Sequence, residues 1–250
     1  MRAVIMAGGK GVRLQPYTKV LPKPLIPLSD IPILEIILKQ LKQHGFRKVT
    51  LALNYKAPMI YNYFGTGESL GLDISYTYEE QPLGTVGPLK LVGDLSNNEP
   101  FLFMNADVLT DLNFSKFYKE HVESDSLMSL LLYKQKEQIS LGVVEVNEVS
   151  GEVLEYLEKP QNEYLVSTGI YMMNSNIVKY IPNRFFDIPE LISLLIRKGY
   201  PVASQIHNGI WMDIGTLNNW NESSDLFEKN RDHFLPPIAQ TEHLFVGKGF

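Results

Sequence analysis

The chain has 250 residues, 44% of them hydrophobic and 20% charged, the balance of an ordinary globular protein with room for a sizeable core. A formal net charge of −5 argues against bulk binding to nucleic acid or an anionic membrane surface, though not against one local phosphate site. The absence of cysteine excludes disulfides, thiolate zinc sites and cysteine nucleophiles, and fits a reducing compartment. "RAVIM" is too short an apolar run for a signal peptide, and no run approaches the ~20 residues of a membrane span. A soluble, cytoplasmic protein is expected.

The first half alternates short apolar runs with helical patterns. "AVIM" predicts a buried strand. "DIPILEIILKQLKQHG" predicts a helix, with Asp30 as N-cap, Pro32 in the first turn and Gly45 at the end. "KVTLALN" is the next strand, "APMIYNYFG" a short helix and "LDISYTYEE" a strand. "GTVGPLKLVGDL" reads as a helix opened by glycine, and "PFLFMNAD" as a strand closing on Asp107. A helix in "FSKFYKEHVES" and a strand in "SLMSLLLY" follow. Nearly continuous apolar strands alternating with helices imply a parallel sheet covered on both faces. Ligands of such sheets bind beyond the carboxyl ends of the strands.

The second half differs. "LGVVEVN", "GEVLEYLEKP" and "YLVSTGIYMMN" are strands joined by short turns, and they suggest an added antiparallel layer. "DIPELISLLIRKG" has the spacing of an amphipathic helix. "PVASQIHNGIWMDIGT" supplies one or two strands and "LNNWNESSDLFEKN" a polar helix. The histidines at 44, 121, 207, 233 and 243 show no metal-ligand spacing and read as surface or structural.

The loop after the first strand, "AGGKGVRLQPYTKVLPKPLIP", is glycine-rich, basic and proline-stiffened. It is not a dinucleotide fingerprint, because Leu14 stands where the third glycine would be. It is not a P-loop either, because Gly11 is followed by Val12-Arg13 instead of lysine and a hydroxyl. What remains is a loop whose glycine amides can approach phosphate oxygens. Arg13 offers a planar fork, and prolines hold Lys23 on a semi-rigid path. The plainer alternative is a sharp turn with solvated cations.

This loop resembles the signature A-G-G-x-G-[ST]-R-L-x-P-x-T followed by P-K-P of the sugar-1-phosphate nucleotidyltransferases. Within that family it is most similar to the mannose-1-phosphate guanylyltransferases. The resemblance runs to about Trp220 and implies a Rossmann-like α/β fold of the glycosyltransferase-A type, a mostly parallel sheet with helices on both faces plus a small antiparallel layer. With no clear boundary along the chain, a single nucleotidyltransferase domain is expected over 1–230, nucleotide-binding in its N-terminal half and sugar-binding in its C-terminal half, and the proline-kinked, apolar end reads as a tail over 231–250 that docks on the domain or on a second subunit. Val12 departs from the family hydroxyl.

By resemblance, Ala7, Gly8, Gly9 and Gly11 hold the nucleotide phosphates, and Gln81, Gly84 and Thr85 of "EEQPLGTVGPLKL" surround the base. Arg13, Lys23, Asp107 and Asp213 are the implied catalytic set, with Asp107 and Asp213 holding Mg²⁺. Glu158 and Lys159 of "YLEKP", with Gly142, Thr168 and Gly169, are the implied sugar-phosphate contacts. Val86, Ala106, Ser167 and Thr168 differ from the commoner residues, the last two at positions that tune the sugar. The partners implied are an NTP, with GTP preferred, and a hexose-1-phosphate such as mannose-1-phosphate. Nucleic acid and membrane are not expected partners, and a homo-oligomer is left open. Thymidylyl and uridylyl transfer share these motifs and stay open. So does a non-catalytic homologue that binds nucleotide sugars, while the loop chemistry disfavours a Rossmann dehydrogenase.

Overall fold

The computed structural model describes residues 1–54, 56–93, 95 and 99–235. The chain enters through β1 (Arg2–Met6), passes the glycine loop and the short α1 (Tyr17–Val20), and makes a small hairpin of β2 (Pro27–Leu28) and β3 (Ile31–Pro32). Then come α2 (Ile33–Gln43), β4 (Lys48–Leu53), α3 (Ala57–Phe64) and β5 (Asp73–Tyr78). A 3₁₀ turn at Gly87–Leu91 leads to β6 (Pro100–Asn105), β7 (Val108–Thr110) and α4 (Phe114–Glu123). The second half contains β8 (Met128–Gln138), β9 (Val143–Val146), β10 (Val153–Leu157), the long β11 (Gln161–Asn174), α5 (Ile188–Arg197), β12 (Val202–His207), β13 (Trp211–Asp213), α6 (Leu217–Lys229) and α7 (Arg231–Phe234).

Seven strands form one sheet in the order β12-β8-β11-β6-β1-β4-β5. Only β11 runs against the rest: β1 is parallel to β4 and β6, β4 to β5, and β8 to β12, whereas β11 is antiparallel to both β6 and β8. Alternation along the strands divides the core between two faces. Ala3, Ile5, Leu102, Met104, Ile170 and Met172 point to the side covered by α2, α4 and α6. Val4, Phe101, Phe103, Tyr171 and Met173 point to the side covered by α5 and the 3₁₀ segments. Among the described residues, no helix is long and apolar enough to cross a membrane.

Three sequence expectations are corrected. Among its described residues the segment "GTVGPLKLVGDL" makes only the 3₁₀ turn Gly87–Leu91. Gly84, Gly87 and Pro88 withhold helix propensity and a backbone donor where an α-helix would start. Asp30 does not cap α2; it sits in the turn between β2 and β3 and pairs with Arg231 at 2.6 Å, and Pro32 takes the cap position in extended conformation with ψ 140°. Finally, β11 belongs to the central sheet. Of the three strands expected in an added antiparallel layer, β9 and β10 stand apart from the central sheet, as a ribbon exposed along most of its length.

Candidate active site

The carboxyl ends of β1, β4 and β6 open onto a cleft of about 450 Å³. Ala7 continues the β1–β4 pairing by donating its N–H to Ala52 O at 2.9 Å, and the chain then turns through Gly8 and Gly9, which line the cleft. Of the residues anticipated from sequence, Ala7, Gly8, Gly9, Lys23, Gly84, Thr85 and Asp107 line it. Asn54, Glu79, Asn105 and Asp187 also line it and had no sequence signal assigned to them.

At one end the charges converge. Lys23 lies in a 3₁₀ turn between Pro22 and Pro24, is only 8% exposed, and its Nζ donates to Asp107 Oδ2. Asp107 stands between β6 and β7, and its carbonyl accepts from Ile214 N at 2.8 Å. The β7–β13 pairing sets Asp213 opposite Val108, which brings the two aspartates to neighbouring strand ends. Burial pushes the Asp213 carboxyl above its ordinary range, the charge of Asp107 adds to this, and Lys23 and Arg13 oppose it. Gly215 sits between Asp213 and Arg13: a Cβ there would lie 2.6 Å from Asp213 Oδ2 and 2.8 Å from an Arg13 guanidinium nitrogen. Arg13, Lys23, Asp107 and Asp213 therefore form one cluster. Gly11 is held beside it, its carbonyl accepting from Thr18 Oγ1 at 2.9 Å.

At the other end a loop spans Glu79 to Thr85. Glu79 Oε2 accepts from Leu83 N at 3.0 Å. Burial holds the Glu79 carboxyl above its ordinary range, against the opposing pull of that amide. The loop is stitched to the segment before α5: Phe186 N donates to Leu83 O at 2.9 Å and Val86 N to Phe186 O at 3.2 Å. Asp187 Oδ1 accepts from both Thr85 N (2.7 Å) and Thr85 Oγ1 (3.0 Å), and the same side chain completes a capping box on α5 with Glu190. Gly84 has φ +84°, and a Cβ on it would lie 2.5 Å from Phe186 O, so only glycine fits this crossing. Gln81 is exposed and does not line the cleft.

The remaining anticipated residues stand outside the cleft lining. Gly142 packs against the Tyr156 ring on the exposed ribbon, and Tyr156 OH donates to Glu158 Oε2 at 2.9 Å. Lys159, with φ +48°, lies 3.9 Å from Glu158. Thr168 is buried; its hydroxyl donates to Leu131 O at 2.8 Å and its carbonyl accepts from Trp211 Nε1 at 3.0 Å. Gly169 lies in a register shift of β11, against the side chain of Asn105. Ser167 hydrogen-bonds Tyr171 OH at 2.8 Å in a neighbouring cavity of about 380 Å³, which shares Thr85 and Asn105 with the main cleft.

A glycine loop at the end of the first strand, a cationic and carboxylate cluster beside it, and a braced loop at the far end thus share one cleft. The family profile described as nucleotidyl transferase matches residues 2–230. The chain belongs to the nucleotidyl transferase family.

Its relatives in that family include the mannose-1-phosphate guanylyltransferase catalytic subunit beta of Dictyostelium discoideum, 31% identical over 99% of this chain and 70% of the relative. The protein of the same name from Danio rerio is 34% identical over 100% of this chain and 69% of its own length. A UTP–glucose-1-phosphate uridylyltransferase of Synechocystis is 30% identical over 88% of this chain and 61% of the relative. The chain thus spans 61–70% of the length of these relatives. Among solved structures, HddC from Yersinia pseudotuberculosis complexed with GMP-PN superposes with a TM-score of 0.69 at 22% identity, covering 90% of this chain and 99% of that one. A Bacillus anthracis protein assigned as a glucose-1-phosphate thymidylyltransferase, solved with sucrose, gives 0.74 at 22% identity over 90% and 95%. The last two likenesses speak to the fold.

The histidines need a finer description than surface or structural. His121 is buried against Ser129 Oγ (2.7 Å) and Asn174 Oδ1 (3.3 Å). His207 and His233 each donate from Nε2 to the carboxylate of Asp111, at 2.9 Å. Among the described residues, no cluster of three or more His, Cys, Asp or Glu could hold a metal ion.

Proposed function

We propose that the cleft catalyses nucleotidyl transfer from an NTP, with GTP preferred, to a hexose-1-phosphate of the mannose type, releasing pyrophosphate. The observation that carries this reading is the joining of Arg13, Lys23, Asp107 and Asp213 in one cluster at the end of a cleft that also holds the braced loop Glu79–Thr85. The kinship with guanylyltransferases at 31% and 34% identity supports the choice of base and sugar.

The attacking group would be an oxygen of a phosphate monoester, which already carries about −1.5 to −2 charge near neutral pH. It needs no general base and no covalent enzyme intermediate, in keeping with a chain that has no cysteine. The protein's task is to hold two anions in line and to stabilise charge spreading over the reacting phosphate. The amides of Gly8 and Gly9 would cradle phosphate oxygens. Lys23, fixed by its flanking prolines, and Arg13, held against Gly215, would bind the triphosphate. Glu158 and Lys159 would meet the sugar phosphate from the ribbon, and Gly142 would admit its close approach.

Asp107 and Asp213 suit a divalent cation with a preference for hard oxygen ligands, such as Mg²⁺. Asp213 is buried next to a second carboxylate, and added positive charge at that point relieves the repulsion. When bound, the ion would neutralise charge on the phosphate oxygens. Residues 1–230 would act as one domain, with the nucleotide in the first half and the sugar in the second.

The test is pyrophosphate release with Mg²⁺, each of GTP, dTTP, UTP, CTP and ATP, and a panel of hexose-1-phosphates. Release that requires GTP and mannose-1-phosphate together supports the reading. Release from UTP with glucose-1-phosphate instead would favour the second reading, for which the Synechocystis relative is the specific support. A folded protein that releases nothing, yet is stabilised thermally by a nucleotide sugar, would be a non-catalytic homologue.

A further inference from the structure

Two carboxylates face the far end of the cleft, Glu79 and Asp187. They are not equivalent. Asp187 is committed to the protein, accepting two bonds from Thr85 and capping α5. Glu79 has only one of its oxygens engaged: Oε2 accepts from Leu83 N, while Oε1 has no hydrogen-bond partner among the described residues. That single bond fixes the side chain to the loop and leaves the second oxygen of a cleft-lining residue open to a donor. An ionised carboxylate can only accept hydrogen bonds, and it has more acceptor sites than one amide fills.

We infer that Glu79 is a specificity-determining residue, whose free carboxylate oxygen accepts from the N1–H and 2-amino group of a guanine base. This rests on the nucleotidyltransferase reading of the cleft and deepens it. Guanine alone among the common bases presents two adjacent donors on one edge. Uracil and thymine flank a single N3–H with two carbonyl oxygens, which a carboxylate repels. Adenine and cytosine place a ring-nitrogen acceptor beside their amino group. The burial that holds the Glu79 carboxyl above its ordinary range agrees with a group short of donors, and a base edge would supply them. A site built to bond a donor also rejects an analogue that lacks it, because a buried acceptor is then left unpaired.

The experiment compares GTP with ITP, whose base lacks only the 2-amino group, in the wild type and in Glu79→Gln. Glutamine keeps an oxygen for Leu83 N but offers no second acceptor. Melting temperature and circular dichroism check that the variant is folded, and Glu79→Ala serves as a second variant. The expected wild-type preference in kcat/KM for GTP over ITP is about ten- to a hundredfold, the usual weight of a hydrogen bond to a charged group. In Glu79→Gln that ratio falls towards one, through loss with GTP more than with ITP. A wild type that uses GTP and ITP equally overturns the assignment, as does a variant in which both fall together, the mark of a loop brace only. A wild type that transfers from UTP or dTTP but not GTP overturns instead the guanylyl reading on which the assignment rests.

Discussion

Lys23 and Asp107 lie 84 residues apart and meet as an ion pair on the floor of the cleft, with the lysine almost wholly buried. A buried ammonium is costly unless it is paired, so the pair is held by the architecture around it. The prolines on either side of Lys23 and the β6–β7 junction at Asp107 supply that hold. The same lysine is thereby aimed at the place where phosphate oxygens would lie. Lys23→Ala is expected to lower kcat by roughly 10²–10³, the range for losing one preorganised contact to developing charge. Steady-state pyrophosphate release measures it. A variant with full turnover would remove Lys23 from the catalytic set.

Asp213→Asn tests the other half of the cluster. The substitution keeps size and shape and removes one of two neighbouring negative charges. Activity is expected to fall by about 10²–10³ at saturating Mg²⁺. The Mg²⁺ concentration giving half-maximal rate should rise, because one carboxylate ligand is gone. If neither quantity moves, Asp213 does not serve the metal and the reaction centres on Asp107.

Gly84 is the crossing point of the Glu79–Thr85 loop and the segment before α5. An L-residue in left-handed conformation costs about 1–2 kcal/mol, and the approach to Phe186 O at 2.5 Å adds a clash with backbone. Gly84→Ala should therefore lower the melting temperature by several degrees, at roughly 2–4 °C per kcal/mol for a chain of this size. On the proposed placement of the base against this loop, it should also raise KM for the NTP more than it lowers kcat. An unchanged KM would separate the loop from nucleotide binding.

The parts of this layout that are local in sequence were readable from it. The glycines after β1, the prolines around Lys23 and the aspartates at two strand ends each carry a short-range signature. Glu79, Asn105 and Asp187 were assigned no role, since they reach the cleft through tertiary packing, although Glu79 opens "EEQPLG" and Asn105 stands two residues before Asp107. The misreading of β11 has a physical cause that the sequence did contain. "IYMM" is apolar at consecutive positions, the pattern of a strand buried on both faces, not of an outer layer. The misread helix after Gly84 had the reverse fault. Val86 and Leu89 mimic helical spacing, while Gly87 and Pro88 between them forbid a regular start.

Asp111 ties three elements together and gives a prediction about pH. It follows β7 and accepts from His207 on β12, from His233 on α7 and from Ile210 N at 2.7 Å. Burial pushes its carboxyl up, but the hydrogen bonds from His233 and Ile210 and the charge of His207 outweigh this and leave it below the ordinary range. A carboxyl depressed in the folded state contributes stability that is complete above its unfolded value near pH 3.9. That contribution is lost as pH falls further, through the folded value. Asp111→Ala should destabilise the protein at neutral pH by about 1–3 kcal/mol, because it strands a buried amide and an imidazole at once. Asp111→Asn isolates the charge. The gap in unfolding free energy between it and the wild type should shrink as pH drops below about 4. Urea titrations at a series of pH values measure the gap; one that stayed constant down to pH 2 would mean that the Asp111 charge adds nothing to the fold.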